Sequence, residues 1–549
     1  MVVFLPVSVV ERPGIPASPP EFIGGGEEIS GRVSGSRSLG REMTMSTEDW
    51  LLDADERGNP VALDPSWTSG NDVRPLIHGR TYFAELLAGI RRLAAGDYVF
   101  FTDWRGDPDE RLDGPDTEIA QVLSAAAERG VVVKGLIWRS HLDKLYFSRA
   151  ENRHLGTDIE RAGGEGLLDM RVRPGGCHHQ KLVVLRHRDR PDLDVAYVGG
   201  IDLCHSRNDD ATHAGDPQPV AMSGAYGRRP PWHDAQAAIR GPAVAQVDEV
   251  FRQRWTDPAP LTRNPVARLH DLFTGGDDQP GPLPPRPAVP RTRGTHTVQL
   301  LRTYPPRGYP FAPDGERSIA RGYQKALRQA RDLIYLEDQY LWSDEVAASF
   351  AEALRDRPGL RMIAVVPPHP DMTGVSALAQ NAGRARALAR LRAAGGDRFA
   401  VYSLENHAGT PIYVHAKVCV IDDTWATIGS DNFNRRSWTH DSELSCAVLD
   451  DAGAYARNLR LALAAEHLDR AAADDHDLID AKSAFEAFRR AAAALDRWYA
   501  DGRHGDRPAG RLRAYVQPPV RRRWLASLLY RTVTDPDARP RGMRRTDTY

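Results

Sequence analysis

Two segments of this chain carry the same reactive side chains at the same spacing. His178-His179-Gln180-Lys181 leads to Gly199-Gly200-Ile201-Asp202. His415-Ala416-Lys417 runs through Asp422 to Gly429-Ser430-Asp431-Asn432. Both read as β-strand, where alternate residues share a face, so His179 projects with Lys181 and His415 with Lys417. Two imidazoles and two ammonium groups brought together suit cleavage of a phosphodiester through a histidine. One neutral imidazole attacks phosphorus. The other, protonated, gives its proton to the leaving oxygen, then takes one from the water that hydrolyses the phosphohistidine. An ordinary pKa of about 6.5 lets histidine fill either part. The lysines hold the charge of the phosphoryl oxygens in the transition state. This chemistry calls for no metal and no cofactor.

The residues after each pair have a matching purpose. Gly199-Gly200 and Gly429-Ser430 let backbone N–H groups approach a phosphate. Asn432 can donate to a phosphate oxygen, and Asp202 holds the matching place in the first copy, so Gly200, Asp202, Ser430 and Asn432 form the expected phosphate-binding set. Each imidazole also needs its second ring nitrogen held to fix the tautomer. The candidates are Asp234, in Pro231-Trp232-His233-Asp234, and Glu443, in Asp441-Ser442-Glu443. Each lies downstream of its own motif, where a further strand can return it. His178 and His233 read as structural histidines. Asp103 and Asp338, at strand ends, either line the cleft or cap.

The elements that must position these residues also come twice. Tyr82, Leu86, Ile90 and Leu93 mark a helix face, Gly96-Asp97 ends it, and Tyr98–Thr102 is a buried strand. Ile319, Tyr323, Leu327 and Ala330 mark the second such helix, before the strand Leu333–Leu336. A helix over Ile119–Ala127 and a strand over Val131–Trp138 are answered by Val346–Leu354 and Leu360–Val366. Alternating helices and strands predict an α/β fold of two pseudo-symmetric lobes, with mixed sheets flanked by helices and the active site at the lobe interface.

Length, composition and charge bound the rest. At 549 residues the chain exceeds one ordinary domain. Residues 1–48, rich in Gly, Ser and Pro, read as a disordered extension. Residues 75–255 form the first lobe, 256–294 a Pro-rich linker, 295–475 the second lobe, and 476–549 a helical segment followed by a basic tail. In that tail Arg521-Arg522-Arg523-Trp524-Leu525 and Leu528-Leu529-Tyr530-Arg531 suit either an anionic membrane surface or docking on the protein itself. The net charge of −2 speaks against a dedicated nucleic-acid binder. The four cysteines show no paired spacing and read as reduced, buried thiols. With no apolar run long enough to span a bilayer and no signal-peptide pattern, the expectation is a cytoplasmic monomer.

The twin motifs resemble the phospholipase D superfamily, whose signature is H-x-K-x-x-x-x-D twice. The second copy matches it in full with His415, Lys417 and Asp422, followed by Arg436-Ser437. The eukaryotic-type branch is the most similar, through His178–Lys181, Gly199–Cys204, Pro231–Asp234, Arg254-Trp255, Gly315–Ile319 and Tyr335–Tyr340. The resemblance spans residues 75 to 475. It implies a phospholipase D activity on phosphatidylcholine or a similar phospholipid at a membrane surface, with transfer to alcohols. A cardiolipin synthase-like phosphatidyltransferase and a nuclease on the same scaffold are the alternatives. It also implies that Asp422 joins the catalytic set, that His179 is the nucleophile and that His415 is the general acid. The calcium-binding C2 module of plant forms is not evident. In the first copy Arg186 stands where the signature has Asp, in a longer hairpin loop, with Asp189 or Asp194 expected to compensate.

Overall fold

The structure is a computed structural model. It describes residues 46–549 apart from 141–148, 265–279, 372–373, 451–452, 472–473, 521–525, 527–528 and 547. The expected N-terminal extension lies outside the described residues up to 45. Its predicted end at 48 is too late. Ser46 caps the helix Thr47–Trp50, and Trp50, Leu51 and Leu52 pack into the second half's outer core.

In the first half the strands are β1 (Thr68–Ile77), β2 (Tyr98–Asp103), β3 (Val132–Trp138), β4 (Glu165–Asp169), β5 (Leu182–Arg186), β6 (Val195–Gly199), β7 (Trp232–His233) and β8 (Ala235–Arg240). In the second half they are β9 (His296–Tyr304), β10 (Glu316–Arg317), β11 (Leu333–Asp338), β12 (Arg361–Val365), β13 (Phe399–Leu404), β14 (Tyr413–Val414), β15 (Lys417–Ile421), β16 (Trp425–Gly429) and β17 (Glu443–Asp450). β18 (Leu512–Ala514) follows from the C-terminal region.

β1 pairs antiparallel with β9, and this pair is the seam of one continuous sheet. Outward from it the order is β1-β8-β6-β5-β2-β3-β4 on one side and β9-β17-β16-β15-β11-β12-β13 on the other. The two sequences of strands correspond position by position, so the duplication is a pseudo-two-fold at the seam. Only the outer strands of each half run parallel. Those carrying the His-x-Lys residues, β5 and β15, are antiparallel to both neighbours. The sheet is therefore mixed.

Three apolar layers hold this arrangement. One face of the sheet in both halves contributes to a single core that includes Val184, Val198, Ala237, Val418, Ile428 and Cys446. Each half also buries its other face under its own helices, Gly79–Arg91 and Ile119–Glu128 in the first, and Ser318–Gln329 and Asp344–Asp356 in the second. A core common to both halves fixes the two His-x-Lys strands relative to one another. All four cysteines are buried and free.

The two hairpin turns behind the site differ. Asp422 sits in the turn after β15 with φ 51°. Its carboxylate accepts from the backbone N–H groups of Arg331, Asp332 and Leu333 at 2.6–2.9 Å, tying the turn to the start of β11. In the first half the same tie is made in reverse. Asp97, just before β2, accepts from the backbone N–H of Arg188 at 2.8 Å. Arg186 is buried against Asp194 at 2.7 Å and Asp248 at 3.2 Å. Asp194, not Asp189, therefore compensates for the arginine.

The C-terminal region is not a separate tail. β18 extends the sheet beside β13. Arg521–Leu525 lies outside the described residues, but Tyr530 is buried and donates to the carbonyl of Trp342 at 2.9 Å. Asp535 receives the backbone N–H of Arg436 at 2.8 Å. Between them, Val533 and Thr534 reach the rim of the central cavity.

Candidate active site

His179 and His415 open onto one cavity of about 550 Å³ between the halves. Each histidine lies just before its strand, where the chain switches neighbours. The segments Tyr413–Val414 and Trp232–His233 pair in parallel, and the backbone N–H of His415 donates to the carbonyl of His233 at 2.7 Å. The other half repeats this. His178 bridges Ser442 in parallel, and the N–H of His179 donates to the carbonyl of Ser442 at 2.9 Å. In both cases the residue after the accepting carbonyl is an acid.

These crossings decide which acid serves which histidine. His415 Nδ1 lies 2.6 Å from Asp234 Oδ2, and His179 Nδ1 lies 2.8 Å from Glu443 Oε2. The sequence reading returned each acid to its own motif. The structure corrects this, because His179 and His415 are each held by the acid of the other half. With Nδ1–H donated to a carboxylate, Nε2 carries the free lone pair and faces the cavity.

The lysines lie behind the imidazoles. Lys181 Nζ donates to the carbonyl of His179 at 3.0 Å and stands 3.4 Å from Asp202. Lys417 Nζ donates to the carbonyl of His415 and to Gln339 Oε1 at 3.2 Å. Burial, then the two lysines, hold His179 well below its ordinary pKa; burial and Lys417 do the same to His415. Both imidazoles are thus neutral in the free site. Burial also lowers Lys417 to about 8, with Lys181 adding to the shift.

The acids are held differently. Burial alone would raise Asp234, but His415 and Lys417 outweigh it and keep the carboxyl well below its usual range. Glu443 is raised to about 8 by burial and by its neighbour Asp441. Ser430 Oγ donates to the same Glu443 oxygen that meets His179, at 2.6 Å. The proton between Glu443 and His179 therefore belongs to the pair.

The remaining expected residues divide. Asp202 and Asn432 line the cavity. Ser430 and Gly200 do not reach it. Ser430 is buried against Glu443, and Gly200 stands where an added Cβ would meet Asp234 Oδ1 at 2.2 Å, so its lack of a side chain makes room for the acid. Both are corrected from phosphate contacts to supports of the two carboxylates. Asp422 is corrected as well, since its turn lies at the far end of β15 from Lys417. Asp338 caps a turn, accepting from the N–H groups of Tyr340 and Phe433 at 2.8 and 3.2 Å. His233 and His178 are fully buried away from the cavity.

Several lining residues were not singled out from the sequence. Trp104 stacks on Trp138 with ring centroids 5.5 Å apart and meets the edge of His179 at 6.4 Å. Trp232 lies 5.0 Å from the His415 ring, and the Arg207 guanidinium stands 4.0 Å over the Trp232 ring. Tyr340 stacks on Trp342 at 3.8 Å. Trp104 and Trp232 sit beside motifs that were read, but nothing in single-sequence spacing separates a lining aromatic from a core one.

Comparison with known proteins places these features in context. Residues 168–303 match the family model described as "Phospholipase D", and residues 323–460 match "Cardiolipin synthase, PLD-like domain". Phospholipase D alpha 1 of Cynara cardunculus is 25% identical over 511 residues, covering 68% of this chain and 62% of the relative. Phospholipase D alpha 1 of Oryza sativa subsp. japonica is 25% identical over 535 residues, covering 72% and 65%. The chain thus spans less than two thirds of the length of these relatives. Among solved structures, phosphatidylserine synthase of Haemophilus influenzae Rd KW20 aligns with a TM-score of 0.46 and 13% identity, over 69% of this chain and 83% of that one.

Proposed function

Because the chain belongs to the phospholipase D superfamily, we propose that it hydrolyses the distal phosphodiester of phosphatidylcholine or a similar phospholipid. The products are phosphatidic acid and the free head group, formed through a phosphohistidine. The observation that carries this reading is the pair of crossed histidine–carboxylate contacts, at 2.6 and 2.8 Å, on one cavity backed by two lysines.

The reaction follows from that geometry. An anionic phosphodiester entering between Lys181 and Lys417 offsets the positive charge that keeps the imidazoles neutral. His179, with Nδ1–H held by Glu443, attacks phosphorus through Nε2. His415 takes up a proton under the influence of ionised Asp234 and delivers it to the head-group oxygen. Water, or an alcohol in its place, then gives a proton to His415 and displaces the phosphoryl group from His179. The phosphoryl charge stays beside the two lysines throughout. Trp104 and Trp138 offer aromatic surface to a quaternary ammonium head group, which binds such surfaces by cation–π attraction. We further propose that the chain works as a monomer, peripherally on a membrane, and not on nucleic acid. No helix among the described residues is long and apolar enough to cross a membrane.

A second reading is phosphatidyl transfer as the main reaction. It is favoured by the match of residues 323–460 to the cardiolipin synthase-type model. Choline release from phosphatidylcholine vesicles containing ethanol tests both, using wild type and His415→Ala. Release that yields phosphatidylethanol and is lost in the variant supports the proposal. Folded wild type that releases nothing from phosphatidylcholine but forms cardiolipin from phosphatidylglycerol selects the second reading.

A further inference from the structure

Behind the Asp234–His415 pair, on the side away from the cavity, three histidines and a glutamate converge. His78 follows β1, His213 lies in the loop before β7, His233 ends β7, and Glu466 comes from the helix Tyr455–Leu468 of the other half. One atom from each lies within 4.8 Å of all the others. We propose that these residues bind a transition-metal dication, for which zinc fits three imidazole nitrogens and a carboxylate, and that it clamps the two halves together behind Asp234.

Donor and acceptor accounting supports this over a purely hydrogen-bonded cluster. His213 Nδ1 faces the carbonyl of Trp232 at 3.0 Å, so it must carry the proton. Its Nε2 lies 2.9 Å from Glu466 Oε1. If that contact is also a hydrogen bond, His213 needs both ring protons and is a fully buried cation. His233 repeats the pattern. Nε2 donates to Glu337 Oε2 at 2.7 Å, while Nδ1 lies 3.4 Å from Glu466 Oε1, buried and with no hydrogen-bond partner among the described residues. His78 Nε2 points to the other Glu466 oxygen at 2.6 Å. Two carboxylates, Glu466 and Glu337, face three imidazoles whose rings are 4.9–5.7 Å apart, too little negative charge to hold all three as cations away from water. A metal ion removes the conflict, because it accepts lone pairs from neutral rings where the hydrogen-bonded reading requires protons.

The outer nitrogens are arranged as metal-bound histidines have them. A ligating imidazole donates its other N–H to a carbonyl or carboxylate, as His213 does to Trp232 and His233 does to Glu337. The backbone adds an independent sign. His78 and His213 have φ of 71° and 51°, a region costly for a residue with a Cβ, and one retained where the surroundings require it. The backbone N–H of His78 also donates to the carbonyl of Asp234 at 2.9 Å, so the cluster braces the residue that holds His415. Four protein ligands leave no open position, which makes the site structural, not catalytic.

The test is metal analysis of the untagged full chain, expressed with zinc and then exchanged into metal-free buffer, together with cobalt(II) reconstitution by refolding. About one equivalent of metal per chain and the visible bands of four-coordinate cobalt(II) are expected. At least a tenfold loss of metal is expected in Glu466→Gln/His213→Asn. Refolding with zinc should also raise the wild-type melting temperature above that of protein refolded with chelator. Wild type that takes up neither zinc nor cobalt overturns the proposal, as does a folded double variant that keeps its full metal content. Should the variant fail to fold, wild-type stoichiometry and the cobalt spectrum decide alone.

Discussion

Asp234 and His415 are 181 residues apart in the chain and 2.6 Å apart in space. The acid belongs to the first half and the imidazole to the second, and Glu443 returns the favour to His179 from the opposite direction. Neither half fixes the tautomer of its own cavity histidine.

Removing the charge from one acid therefore disables the other half's histidine. Asp234→Asn can present its amide N–H to His415 Nδ1, which leaves the proton on Nε2, the wrong nitrogen. A fall in kcat of about 10²–10⁴-fold is expected, with the far-ultraviolet circular dichroism unchanged. A kcat within a few-fold of wild type would exclude Asp234 from this part.

Gly200→Ala tests the same contact without touching a charge. Its new Cβ would stand 2.2 Å from Asp234 Oδ1, so the carboxylate must shift from His415. An active-site shift of this size is expected to cost about 10²-fold in kcat. Because the damage passes through His415, combining Gly200→Ala with Asp234→Asn should add little. Additive losses would place the effect elsewhere.

Acid–base behaviour should be narrow. Activity is expected to rise as the Glu443 carboxyl, held near 8, ionises and so accepts Nδ1–H of His179, and to fall as Lys417, also held near 8, loses its proton. The profile of kcat/KM against pH is a bell near pH 8, and Lys417→Arg should move its alkaline limb upward.

Stability carries the opposite trace of Glu443. Its folded pKa is raised from 4.5 to about 8, so its contribution is full below pH 4.5 and is lost as pH rises through 8. The slope is at most about 1.4 kcal/mol per pH unit. Lys417, depressed from 10.5 to about 8, adds stability as pH rises across that higher window. Denaturant melts of Glu443→Gln should lack the decline between pH 5 and 8 that wild type shows. Parallel curves would mean that Glu443 is ionised throughout.

Asp422→Ala separates a signature residue from a catalytic one. Three backbone N–H groups lose their acceptor, so a loss of about 2–3 kcal/mol in urea melts is expected, with kcat within about twofold below the transition. A large loss of kcat in fully folded protein would contradict its placement.

Much of this site could be read directly from residue types. The His-x-Lys pairs, Asp234, Glu443 and the helix–strand order were visible because period and spacing are local properties. The pairing of acid with histidine was not, since it depends on which strands meet at the seam, and Ser442 and His233 accept their hydrogen bonds across it. Gly200 and Ser430 sit beside the motifs, which suggested ligand contact, but Gly200 leaves room for one carboxylate and Ser430 donates to the other. The role of Asp422 was obscured because the signature places it five residues from Lys417, while a strand of that length carries it to the opposite end of the sheet. His78, His213 and Glu466 have no shared spacing at all.

The crossed contacts also bear on how such a chain arises. A half-length ancestor with this pattern would have had an idle imidazole and an idle acid, and two copies related by a dyad would have completed both at once. Joining such copies in tandem would replace an encounter governed by concentration with one that is always satisfied, and would let each copy change on its own, as the Asp on one histidine and the Glu on the other differ here.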